Sequence, residues 1–178
     1  MGDELQDGPD KAAVQVGDEK RFGIVFECDA AAAGKMRTDM HVRVLEPEQE
    51  TWEFATDEGP FQGGDGTAPP PLAFFMAGLA SCLITQIRNF SRRLRVDLDS
   101  LSLHTRCEWE GRMKGREPYR SAPVSFEIDI DISSPAARDE ILQLVRAGIG
   151  GCFIEQTIMR ENTIRHRVKL GEDWVEVA

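Results

Sequence analysis

Basic residues are in deficit in this chain. Its 178 residues carry 21 Lys plus Arg against 31 Asp plus Glu, a net charge of −10. Such a surface repels phosphate backbones and argues against nucleic-acid binding. Histidine is scarce too, with His41, His104 and His166 scattered along the chain. The four cysteines (Cys28, Cys82, Cys107, Cys152) include no CxxC pair. Zinc sites want close-spaced ligand pairs, so no metal is expected. Long apolar runs are also missing. The longest, residues 69–79, falls short of the roughly 18 residues that a membrane helix needs, so no membrane role is expected. The start, Met1-Gly2-Asp3-Glu4, has neither basic charge nor an apolar stretch, so no secretory signal is read there and the expected location is cytoplasmic. Structural disulfides are not expected in a reducing cytosol. Each cysteine is then either a small core residue or a reactive thiol.

What is present looks globular. Hydrophobic residues make up 41% and charged residues 29%, and the length suits one domain. The first twenty residues hold six acids against two lysines and few large apolar side chains. Residues 1–20 therefore read as an acidic, flexible tail, and residues 21–178 as a single domain. Phe22, Ile24, Phe26 and Cys28 alternate with Gly23, Val25 and Glu27, the period of a strand. Residues 30–34 read as a turn, residues 36–45 and 51–56 as two further strands, and the three could form an antiparallel meander. The stretch 57–71 (DEGPFQGGDGTAPPP) is too rich in Gly and Pro for regular structure.

Residues 72–94 carry the longest helical pattern, with Leu72, Phe75, Met76, Leu79, Leu83, Ile87, Phe90 and Leu94 at three- and four-residue spacing. Its first half is nearly all apolar and is expected to be buried on every side. Arg88, Arg92, Arg93 and Arg95 suit the negative end of the helix dipole. The second half repeats the plan. Leu101, Leu103, Thr105, Cys107 and Trp109 share one strand face, and Val124, Phe126, Ile128, Ile130 and Ile132 share another. Ser134 reads as an N-cap with Pro135 opening a helix to about Ala147. Glycines 148, 150 and 151 interrupt it, residues 152–160 resume helical spacing, and residues 163–170 and 174–177 read as closing strands. The order predicts an α+β domain with antiparallel sheets and a long buried central helix. A helix of twenty-odd residues spans about 35 Å, too long for so small a domain to cover, and a homodimer is expected.

Strand period places Cys28 with Phe22, Ile24 and Phe26, and Cys107 with Leu101, Leu103 and Trp109, so both read as core hydrophobes. Cys82 follows Ala77-Gly78-Leu79-Ala80-Ser81, and Cys152 follows Gly150-Gly151. Small neighbours leave room for a substrate or for a second backbone. Cys152 also falls where a fresh helix N-terminus would favour a thiolate. Packing and a redox pair both stay open for these two on local chemistry alone.

Asp57-Glu58, then Gly63-Gly64-Asp65-Gly66-Thr67-Ala68-Pro69, Pro71 eleven residues before Cys82, and Cys152 seventy residues after it together resemble the OsmC/Ohr family. These are the osmotically inducible protein C and organic hydroperoxide resistance proteins, and the resemblance covers roughly residues 22–170. It implies the OsmC-like fold as an intertwined homodimer with sites at the subunit interface. It also implies a thiol-dependent, peroxiredoxin-like peroxidase acting on organic hydroperoxides without cofactor. Cys82 would be the attacking thiolate and Cys152 the resolving thiol, with an external dithiol as reductant. The family's thiolate-stabilising arginine matches Arg37 best, with Arg21 and Arg43 as alternatives. The family's glutamate at the helix start is missing, because Pro71 is followed by Leu72-Ala73. Glu58 or Asp65 is the candidate substitute. The alternative implied by that loss is a non-catalytic small-molecule-binding or stress-associated protein on the same scaffold.

Overall fold

The structure is a computed structural model that describes residues 20–177. The acidic segment 1–20 lies, but for its last residue, outside the described residues. The chain divides at Pro71/Leu72 into two compact units.

The first unit is built on the predicted meander. Strands β1 (Val25–Ala33), β2 (Arg37–Glu46) and β3 (Glu50–Thr56) form one antiparallel sheet in that order. Cys28 pairs with Val42, and Val42 with Trp52. The alanines expected in a turn extend β1 instead, and the chain reverses at residues 34–36, where Gly34 takes φ 60°. Strand period did not translate into burial. Cys28 is exposed, and so are Phe22, Ile24 and Phe26, so the core role expected for Cys28 is corrected. A three-stranded sheet buries a face only against a second layer, and the described part of this unit offers none. The Gly/Pro-rich stretch holds one short 3-10 turn, Pro60–Gln62. It then closes on itself, with Gly64 N–H donating to Gly59 O and Gly66 N–H to Glu58 O. A Cβ on Gly64 would sit 1.8 Å from Glu58 O, so only glycine fits there.

The second unit holds most of the buried core. Helix α1 (Pro71–Leu94) leads to strands β4 (Ser100–Arg112) and β5 (Arg120–Ser133), which pair antiparallel. Helices α2 (Arg138–Gly151) and α3 (Phe153–Ile158) follow, then the hairpin β6 (His166–Leu170) and β7 (Asp173–Val177). The core gathers Leu83 and Ile87 from α1, Val96, Leu144 of α2 and Cys152, with Leu101, Leu103, Ile128 and Ile130 of the sheet against them. Phe75, Trp109 and Phe126 add an edge-to-face cluster with centroids 5.7–6.1 Å apart, tying α1 to the sheet. The bulge between Glu108 and Trp109 skips Val124, which is why Val124 leaves the apolar face that its neighbours Phe126 and Ile128 share.

Three expectations need correction here. Helix α1 is buried along a stripe (Leu79, Leu83, Ile87) rather than all round, and Leu72 and Phe74 stay exposed in the single chain. Its apolar residues are spread over the helix, so it is long and apolar enough to cross a membrane although no contiguous run is; mean hydropathy reaches 1.4. Finally, Ser134 does not cap α2. Its hydroxyl donates to Asp97 O and accepts from Ala136 N–H, and the helix opens at Arg138 with Glu140 accepting the Ala137 N–H.

Candidate active site: two thiols and an apolar cavity

Tight helix packing brings the distant cysteines together. Gly148 sits on Ile87, where an added Cβ would lie 2.5 Å from Ile87 Cγ1, and Gly151 lies as close to the Phe90 ring. The small residues thus serve backbone approach, one of the two uses open from sequence. With α2 drawn onto α1, the chain breaks at Cys152, which ends α2 and precedes α3. Cys152 is fully buried, and the half-buried Cys82 of α1 packs against the same cluster.

Burial pushes the Cys152 thiol up to about 11. The adjacent Cys82 thiol, by polar contact and charge, and the Glu155 charge contribute smaller parts of that rise. The Glu155 backbone N–H lowers it, but Cys152 makes no side-chain capping bond to α3. Desolvation therefore outweighs the helix-end effect expected from the sequence. Both cysteines are free thiols.

A cavity of about 620 Å³ is lined by Leu79, Leu83, Phe126, Ile128, Ile149 and Glu155 among others, with neither cysteine in its wall. Leu79 and Leu83 flank Cys82 in sequence, and Ile149 and Glu155 flank Cys152. Burial raises the Glu155 carboxyl, and its Oε2 has no hydrogen-bond partner among the described residues. Periodicity gave no reason to single out Glu155; its one sequence signal is a carboxylate three residues past a helix-breaking cysteine.

The cation candidates lie in the first unit. Arg37 Nε pairs with Asp39 Oδ1 at 2.8 Å, and its Nη1 donates to Thr67 Oγ1 at 3.1 Å. Arg43 is held by Glu27 and Asp29, whose hydrogen bonds raise its pKa, Glu27 first. Glu58 contributes its backbone carbonyl to the loop, and Asp65 pairs with Lys35. The carboxylate that sequence reasoning passed over is Asp57, which is 2% exposed and accepts from both Thr67 N and Thr67 Oγ1 at 2.9 Å. Its signal was available: an acid where a strand gives way to a Gly-rich loop.

Antiparallel sheets with a long helix packed against one of them define an α+β protein. Residues 64–167 match the model of the OsmC family, described as OsmC-like protein. The chain belongs to this family. Its fold is similar to an OsmC-like hydroperoxide resistance protein from Jannaschia sp. CCS1, at 42% identity and TM-score 0.60, over 86% of this chain and 98% of that one. An organic hydroperoxide resistance protein from Legionella pneumophila matches at 17% identity and TM-score 0.51, over 75% and 88%. An OsmC-like protein from Mycoplasma pneumoniae matches at 15% and 0.55, over 76% and 87%. These last two speak for the fold alone. A search of curated proteins finds no match.

Proposed function

We propose that this chain is a thiol-dependent peroxidase that reduces organic hydroperoxides. The observation that carries the reading is the meeting of Cys82 and Cys152, seventy residues apart in sequence, at one buried point. The 42% identity to a hydroperoxide resistance protein supports it, as does the apolar cavity, which suits a hydrophobic alkyl group.

The Cys82 thiolate attacks the terminal peroxide oxygen. The O–O bond breaks, sulfur gives up two electrons to become a sulfenic acid, and the alkoxide takes a proton to leave as alcohol. The Cys152 sulfur then attacks Cys82, the S–OH bond breaks, and the thiol proton leaves with hydroxide as water. An external dithiol reopens the disulfide by exchange. Arg37 serves as the cation that stabilises the thiolate and the departing oxygen. Leu72 and Phe74 on the exposed start of α1 are covered by a second copy in this reading, which makes the working unit a homodimer. The cytoplasm, which keeps thiols reduced, supplies the dithiol.

One observation favours a second reading. The first turn of α1 has no acidic residue, and a scaffold without the family's glutamate can serve as a non-catalytic binder of apolar small molecules in the same cavity. Consumption of cumene hydroperoxide with dithiothreitol, together with mass spectrometry after one equivalent of peroxide, separates the two. The peroxidase gives turnover, a Cys82–Cys152 disulfide, and loss of both in Cys82→Ser. Four intact thiols and no turnover sink it in favour of the binder.

A further inference from the structure

Asp57 poses a physical problem. It is a nearly fully buried aspartate in a polar loop, with Oδ1 lacking a hydrogen-bond partner among the described residues. Burial alone would drive such a carboxyl neutral, yet its pKa is held below the usual carboxylate range, first by the Thr67 backbone N–H, then by the Thr67 hydroxyl, with smaller help from the Glu58 and Asp65 backbone N–H groups. A buried anion held by hydrogen bonds gains further from a nearby positive charge. The hydrogen bonds lead to one in a single step. The Thr67 hydroxyl donates its proton to Asp57 Oδ2 at 2.9 Å, which leaves its lone pairs for Arg37 Nη1 at 3.1 Å. Asp39 fixes the other edge of the guanidinium through Nε at 2.8 Å.

The loop is built to hold this relay. Asp57 N–H donates to Pro69 O at 3.2 Å, closing the segment that carries Thr67 back onto the end of β3. Gly64 passes so near Glu58 O and Asp57 Oδ1 that no side chain fits there. Asp57, Thr67 and Arg37 therefore sit on three stretches whose relative positions are set by backbone contacts.

We infer that Asp57, through Thr67, positions the Arg37 guanidinium, and that with Asp39 it takes over the orienting task of the carboxylate missing from the start of α1. Thr67 and Asp57 are positioning residues, acting only through Arg37. The inference rests on the reading of Arg37 as the cation that serves Cys82.

The test uses the full chain with cumene hydroperoxide and dithiothreitol, comparing Arg37→Ala, Thr67→Val, Thr67→Ser, Asp57→Asn and, as a control in the same loop, Lys35→Ala. Thr67→Val is expected to lower kcat and kcat/KM together by about tenfold, roughly the worth of one hydrogen bond to a charged group. Thr67→Ser should restore most of the rate, Asp57→Asn should fall in the same direction as Thr67→Val, and Lys35→Ala should match the parent. A merely structural loop defect would instead lower the melting temperature and would not be rescued selectively by serine. If Arg37→Ala keeps the full rate, the role given to Arg37 fails and the inference falls with it. If Arg37→Ala is slow but Thr67→Val is not, the positioning relay alone is overturned. Equal loss in Thr67→Val and Thr67→Ser also overturns it, because the hydroxyl would then not be the active group.

Discussion

Gly148 is a position in the helical core where one added methyl group should do clear damage. An alanine Cβ there would lie 2.5 Å from Ile87 Cγ1 and 3.4 Å from Ile87 Cα, and Ile87 is completely buried. Neither helix can yield without disturbing Leu83, Leu144 and Cys152 in the same cluster. Overpacking of this kind costs about 1–3 kcal/mol. The gain from replacing glycine by alanine in a helix offsets up to about 1 kcal/mol of it. The net expectation for Gly148→Ala is a loss of about 1–2 kcal/mol, or roughly 2–8 °C in melting temperature for a chain of this size. Gly150→Ala is the internal control, since its Cβ would meet nothing within 4 Å. That variant should be as stable as the parent or more stable. Thermal unfolding of the reduced protein by circular dichroism measures both. Adding Ile87→Ala to Gly148→Ala should make the two changes less than additive, because the colliding Cγ1 is gone. Equal stability of Gly148→Ala and Gly150→Ala would refute the close approach of α2 to α1, and with it the reason the two thiols meet.

Further outcomes follow from burial and charge. Stability of the reduced protein should fall as pH rises from about 9 to about 11, because the unfolded chain releases the Cys152 proton first while the folded state holds it until about 11. The full contribution is present below about 9, its size is on the order of 2 kcal/mol, and denaturant titrations of Cys152→Ala should show a flatter alkaline limb. Leu144→Ala removes a fully buried side chain from the centre of the cluster and should cost about 2–5 kcal/mol by urea unfolding. Native reduced protein treated with a thiol reagent should label the exposed Cys28 well before the buried Cys152, as read by peptide mass spectrometry; the reverse order would contradict the burial assigned to them.

Local pattern and tertiary contact left different marks on this chain. Two-residue alternation in β5 and the three- and four-residue spacing in α1 are local properties, and elements defined by them were legible residue by residue. The loop 57–71 was legible as irregular for the same reason, since Gly and Pro act on their own backbone. Which face of a strand is covered is not local: Phe26 and Cys28 alternate as a core face would, yet stand exposed. The start of α2 shows the same limit, because Ser134 spends its hydroxyl on Asp97, far away in sequence, instead of on a helix end. Of the site, sequence pattern picked out Cys82 and Cys152, but only the packing of Gly148 and Gly151 on α1 brings them together. Only the folded loop could reveal Asp57 behind Thr67, or Glu155 facing an apolar cavity. Hydrogen bonds and burial depend on atoms many residues apart, and no run of neighbouring letters encodes a distance.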